Sequence, residues 1–206
     1  MKKIMLNDRY GLTEAMLEGR KTVTRRIIKT PRTMEGKDVY GFSVLTYRTG
    51  EVVEVMAIDE DGALIGNILP KYKVGEVVAV AQAYRDAINP PDWVNTLIYK
   101  NEPGWTNKMF VGADLMPHQI FINAVRVDRL QDISDEDCLR EGIYLDETAP
   151  SCYQPFYTFK ESQEHGTPVG YQTAREAFAA LIDKVSGKGT WQSNPWVFVY
   201  EFELER

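Results

Sequence analysis

Residues 19–26 read Gly19-Arg20-Lys21-Thr22-Val23-Thr24-Arg25-Arg26, and the fold expected of the chain is built outward from this run. Upstream, Thr13 is placed to cap a short helix over Glu14 to Glu18, with Met16 and Leu17 facing inward and Gly19 as its stop. Gly19 lets the chain reverse, and Thr22 to Ile28, rich in β-branched residues, follows as a strand. Side chains alternate along a strand, so Thr22, Thr24 and Arg26 share one face. Lys21 meets Thr24 only if the turn extends through Lys21.

Charge singles out the same region. The chain carries a formal net charge of −6, which argues against coating nucleic acid through an overall positive field. Yet Arg20, Lys21, Arg25, Arg26, Lys29 and Arg32 follow one another without an acidic residue, while acidic residues collect at Asp59-Glu60-Asp61 and from Asp132 to Glu141. A basic strip on an acidic body fits a focused site for phosphate or another anion. It equally fits a strand edge guarded by cations.

The rest of the chain alternates strands with two or three helices. Val39 to Tyr47 and Glu51 to Ile58 read as a hairpin about Thr49-Gly50, and Asp61-Gly62 is a further turn. Val77 to Ala81 and Ile120 to Val127 read as strands. Ser134-x-x-Asp137 resembles a capping box for a short helix ending near Gly142. The clearest helix is Thr173 to Val185, opened by Thr173-x-x-Glu176; the clearest strand is Trp196 to Leu204, started by Pro195. Residues 84 to 117 and 146 to 170 are expected to hold little regular structure. Trp191 and Trp196 are read as core, whereas Tyr84, Trp93 and Trp105 are candidates for stacking on bases. The pattern is that of an α+β protein, its short strands forming a curled sheet or barrel.

No run approaches the roughly 18 apolar residues that span a bilayer, so no membrane partner is expected. Two cysteines make no disulfide framework, and no export signal is recognised, so the cytoplasm is the expected location. His118, His165, Cys138 and Cys152 lack the pairwise spacing of a zinc site, and there is no glycine-rich phosphate loop. No metal or cofactor is expected.

Four ordered segments carry a family resemblance. The Gly-x-Lys-x-x-Thr-x-Arg pattern of residues 19–26 resembles the signature of the ASCH family, whose β-barrel is related to the PUA domain of RNA-modifying enzymes. Tyr72-Lys73-Val74-Gly75-Glu76-Val77-Val78 resembles the family's strand after a "GD" turn. Leu130 to Gly142 resembles the "LQDIS…EG" segment of prophage-type ASCH proteins, and Asn194 to Phe202 resembles their closing strand. Many prophage-type relatives carry an Arg-Glu-x-Trp run where this chain has Ala81-Gln82-Ala83-Tyr84, so a charged pair is missing.

The resemblance implies a single ASCH-like domain over 1–206, with insertions at about 31–70, 84–117 and 146–170, since the family's small amidohydrolases are about half as long. Its first implication is binding of RNA, a nucleotide or a modified nucleoside through Arg20, Thr22, Arg25 and Arg26. The alternative is that of the bacterial acetylcytidine amidohydrolases, whose Lys, Thr and Glu fall on Lys21, Thr24 and Glu141. There the threonine attacks the amide carbonyl, the lysine takes its proton and the glutamate protonates the leaving amine. The chemistry requires a base within reach of the hydroxyl, a lysine lowered toward neutrality by burial or cations, and a carboxylic acid held protonated. A phage-type interaction protein, using the aromatic loops as its contact surface, is a third reading.

Overall fold

The structure, a computed structural model, describes residues 1–46, 48, 52–88, 93–147, 155–160 and 169–205, with the backbone alone at 52, 53, 93 and 94. Strand β1 (Lys3–Ile4) leads to helix α1 (Leu12–Leu17) and then to strand β2 (Val23–Ile27). The expected helix, turn and strand are therefore present, with one change at the start. Gly11 is the N-cap, and Thr13 lies within the first turn, its hydroxyl donating to the Asp8 carboxylate. Gly19 takes φ 77°, a left-handed backbone that glycine enters without strain.

The segment 31–70 is folded on itself. It contains the hairpin β3 (Thr33–Met34) and β4 (Lys37–Asp38), then the antiparallel meander β5 (Gly41–Thr46), β6 (Val52–Ile58) and β7 (Leu64–Asn67). The expected turn at Thr49-Gly50 lies outside the described residues. The Asp61-Gly62 turn joins β6 to β7, with Gly62 N–H donating to the Asp59 carbonyl. Strand β8 (Val77–Val80) follows.

Residues 84–117 differ from expectation. They hold two short helices, α2 (Tyr84–Ala87) and α3 (Trp93–Tyr99), and three single 3-10 turns at 103–105, 108–110 and 113–115. A satellite core organises them: Tyr84, Val111 and Met116 are buried with Ala79 and Ala81, and Trp105 packs against the group. The Tyr84 hydroxyl accepts from Gly112 N–H at 2.8 Å. Tyr84 is thus a core residue and offers no face for base stacking. Trp105 is half-buried in the same cluster, and the Trp93 side chain lies outside the described residues.

The remaining elements are β9 (Gln119–Arg129), α4 (Asp135–Arg140), β10 (Tyr144–Asp146), β11 (Phe156–Thr158), α5 (Ala174–Ser186), α6 (Thr190–Ser193) and β12 (Trp196–Glu205). The pair β10–β11 is a small antiparallel ladder inside a region expected to be loop. Thr173 and Glu176 form the reciprocal capping box read from the sequence. At α4 only half of that device is present. Ser134 accepts from Asp137 N–H, while the Asp137 carboxylate turns to arginines instead.

Five strands form the main sheet in the order β1-β8-β9-β12-β2, with β1 and β8 parallel and the other pairs antiparallel. The architecture is α+β with a mixed sheet. Among the described residues no closed barrel forms: the two end strands, β1 and β2, do not pair, and β1 is only two residues long. Nor are there only two or three helices: six α-helical segments are present among the described residues, and α5, with 13 residues, is the one long helix. Phe178, Leu181 and Ile182 of α5 belong to the same buried apolar cluster as Val23, Val197, Val199, Ile120 and Ile122 of the sheet. Trp191 and Trp196 lie at the margin of this core, as read, under Arg175 and Arg129 respectively.

Candidate functional site

The turn from α1 into β2 is held at both ends. The backbone N–H groups of Arg20 and Lys21 both donate to the Ala15 carbonyl at 2.9 Å, and Thr22 N–H donates to the Arg140 carbonyl at 2.9 Å. These bonds fix the end of α1 and the end of α4 against the start of β2. Gly142, at φ 107°, turns the chain away immediately after Glu141, where a Cβ would lie 3.3 Å from Leu12. The geometry carries the Lys21 and Glu141 side chains, 120 residues apart, into the same buried space.

Lys21 is 1% exposed and Glu141 5%, so their pairing must satisfy them almost entirely. The Lys21 Nζ donates to Glu141 Oε2 at 2.5 Å, to the Glu141 carbonyl at 2.8 Å and to the Val23 carbonyl at 2.7 Å. Three acceptors match the three protons of an ammonium. Burial lowers the Lys21 pKa from its ordinary value; the charge and hydrogen bond of Glu141 oppose this, and Arg26 and Arg25 add to the lowering. The other Glu141 oxygen accepts from Arg25 at 3.2 Å.

Arg25 continues the network away from Lys21. Its guanidinium donates to Asp137 at 2.7 Å, and Arg126 and Arg140 hold the same carboxylate at 2.6 and 3.1 Å. Arg126 and Arg140 also hold Glu201. Burial raises the Asp137 carboxyl, but the bond from Arg25 and the charges of Arg25, Arg126 and Arg140 outweigh it and hold the group below the usual carboxylate range. One donor is left over: Arg25 Nε is buried with no hydrogen-bond partner among the described residues.

The two faces of β2 differ. Arg25 stands opposite Val199 in the register, and Val199 opposite Arg126, so these residues share the charged face. Thr24 and Arg26 stand opposite Tyr200 and Phe198 on the other face. A cavity of about 660 Å³ is lined by Thr24, Arg25, Arg26, Ile27, Ile28 and Lys29 in unbroken succession. One face of a strand would contribute alternate residues only, so the cavity runs along the outer edge of β2, which no strand pairs among the described residues. Lys21 and Glu141 line it, as do Tyr72, Phe178, Phe198 and Tyr200.

The structure therefore brings Lys21, Thr24, Arg25, Arg26 and Glu141 together and leaves Arg20 and Thr22 outside. Arg20 is exposed, pairs with Glu18 at 2.5 Å and lies over the Tyr144 ring. The Thr22 hydroxyl accepts from Arg140 at 3.1 Å. The turn does extend through Lys21, yet its ammonium bonds Val23 and Glu141, and the Thr24 hydroxyl has no hydrogen-bond partner among the described residues. Arg26 donates to the Met5 carbonyl at 2.5 Å and reaches no carboxylate among the described residues. Burial pushes the Cys138 thiol up to about 12, which removes it as a nucleophile near neutral pH.

Sequence reasoning missed Asp137, Lys71 and the aromatic wall. Asp137 was visible only as a capping residue, and its acidic surroundings gave no hint of three arginine partners. Lys71 precedes a recognised segment but carries no signal of its own. The chain matches no family model, no curated protein and no solved structure.

Proposed function

We propose that the protein is an ASCH-type, PUA-like module that binds a nucleotide or a modified nucleoside, free or within RNA, in the cavity along β2. The observation that carries this is the composition of that cavity. Five cations line it, Lys21, Arg25, Arg26, Lys29 and Lys71, against the single carboxylate of Glu141, and the opposite wall is apolar and aromatic. A volume of about 660 Å³ lies within the range typical of small-molecule sites. An unpaired strand edge adds backbone N–H and C=O groups of the kind that read the edges of planar bases. The four ASCH-like segments support the reading by each contributing to the lining: Lys21, Thr24, Arg25 and Arg26 from the first, Tyr72 from the second, Glu141 from the third, and Phe198 and Tyr200 from the fourth.

Titration with a panel of nucleosides, mononucleotides and short RNA oligomers tests it. Binding should weaken with salt and should fall when Arg25 and Arg26 are neutralised. No binding across the panel, or binding indifferent to both salt and these arginines, overturns it.

A second reading, hydrolysis of an acylated nucleoside, is favoured by one specific contact, the buried Lys21–Glu141 hydrogen bond beside Thr24. As an ion pair, the two are the wrong way round for catalysis, since the base is protonated and the acid is not. Moving one proton along the 2.5 Å bond yields a neutral amine and a neutral carboxylic acid. Burial lowers the Lys21 pKa and so favours its neutral amine. The Thr24 oxygen then attacks the acyl carbon as Lys21 accepts its proton, the C–N bond breaks, and Glu141 protonates the departing amine. Water hydrolyses the acyl-threonine, releasing the carboxylic acid and restoring the site. Incubation with N4-acetylcytidine, followed by mass spectrometry, should show the free nucleoside, and Lys21→Ala should abolish its appearance. Absence of turnover over a panel of acylated nucleosides removes this reading and leaves the binding one standing.

A further inference from the structure

The cations that line the cavity fall into two groups. Lys21 and Arg25 are neutralised by Glu141 and Asp137. Arg26, Lys29 and Lys71 have no carboxylate partner among the described residues. Two of these stand at one aromatic pair. Lys71 Nζ lies 5.2 Å from the Tyr72 ring centroid, Tyr72 and Tyr200 meet edge to face at 5.2 Å, and the Arg26 charge acts on both phenols. Glu76, the acidic group whose charge acts on Tyr72, is taken by Lys2 at 2.9 Å and by Lys73 N–H. Both phenol hydroxyls are also occupied: Tyr72 donates to the Lys3 carbonyl, and Tyr200 accepts from Lys71 N–H.

Resting on the nucleotide-binding reading, we propose that the ligand's phosphate docks between Arg26 and Lys71, so that the site takes phosphorylated nucleosides in preference to free ones. One N–H of the Arg26 fork is used on Met5, and the others have no partner among the described residues. A guanidinium with open donors beside an ammonium matches a phosphate's several acceptor oxygens. Arg26 is half-buried, where such bonds are stronger than in water, while Lys71 is exposed. Lys29, exposed at the end of β2, adds charge at the cavity's rim.

Calorimetric titration of the full chain with adenosine, cytidine, guanosine and uridine, each against its 5′-monophosphate, tests the proposal. The monophosphate of whichever nucleoside binds should bind at least about tenfold tighter, equivalent to about 1.4 kcal/mol. Inorganic phosphate should compete with it. In Arg26→Gln/Lys71→Gln the preference should collapse to under about threefold, with circular dichroism reporting that the variant is folded. Lys73→Gln, outside the cavity, should keep the preference. A dinucleoside monophosphate arm separates sources: binding as tight as the monophosphate assigns the site to a phosphodiester, and weaker binding assigns it to a terminal phosphate. Equal affinity for nucleoside and monophosphate, or a preference that survives in the double variant, overturns the phosphate site alone. No binding by any nucleoside or nucleotide overturns the nucleotide-binding reading together with it.

Discussion

Arg25 and Arg26 are neighbours on one strand, yet they belong to two different regions. Arg25 faces a lattice of opposite charges in which Glu141, Asp137 and Glu201 are shared among Lys21, Arg25, Arg126 and Arg140. Arg26 faces a cavity with aromatic walls and holds one backbone carbonyl. The first region has nearly every charge answered within the protein, as buried charges require. The second keeps positive charge unanswered, which only a solvated or ligand-binding position tolerates. Adjacent arginines thus divide into one that holds the site together and one that is free to meet a ligand.

The largest expected effect breaks the first region. Glu141→Ala removes the carboxylate shared by Lys21 and Arg25 and leaves two buried cations poorly paired, a loss of about 3–5 kcal/mol in unfolding free energy. Urea denaturation measures it, and a loss below about 1 kcal/mol would mean that water reaches the pair. The comparison itself is tested next by Arg25→Met and Arg26→Met. The first should cost about 2–3 kcal/mol, since it strips charged bonds from Asp137 and Glu141. The second should cost about 1 kcal/mol or less, because only the bond to the Met5 carbonyl is lost. Equal losses would erase the distinction between the two arginines.

Acid should act on the first region through two of its carboxylates. Asp137 and Glu201 are both held below their ordinary values: Glu201 by its bond from Arg140 against the opposing effect of burial, and Asp137 by its arginines in excess of burial. Carboxylates with lowered folded pKa values contribute stability that is complete above the unfolded value, about 4. That contribution is lost as pH falls through the lowered folded values. Thermal melts between neutral pH and pH 3 should show this decline, and Arg25→Met should flatten it. The smallest expected effect is on Thr24. Its hydroxyl has no partner to lose, so Thr24→Val should change stability by less than about 1 kcal/mol. Turnover of an acylated nucleoside, where present, should disappear in the same variant.

How far these regions could be read beforehand follows from the range of the interactions. Local signals were sufficient for α5, whose capping box and apolar stripe lie within one segment, and for β12, whose alternation is continuous. They also placed the Gly19 reversal, whereas Lys21 and Glu141, 120 residues apart, come forward as partners only through the ASCH resemblance. The N-cap lies two residues before Thr13, at Gly11, and the Thr13 hydroxyl bonds Asp8, a contact that no spacing rule anticipates. Tyr84 reads as a base-stacking candidate because it sits in an irregular stretch, whereas its burial depends on Ala79, Val111 and Met116. The partition of Arg25 from Arg26 follows from alternation, but which face carries Asp137 is a property of α4 docking. Alternation by itself could not name the neutralised arginine.

The most direct test of the account is an NMR titration of the isotopically labelled full chain with the 5′-mononucleotides. Backbone amide signals of residues 24–29 and the Nε–H signal of Arg26 should shift on binding, while the Glu201 amide on the charged lattice holds its position. Perturbations that bypass residues 24–29, or none at millimolar nucleotide, would contradict the assignment of the β2 edge as the binding site.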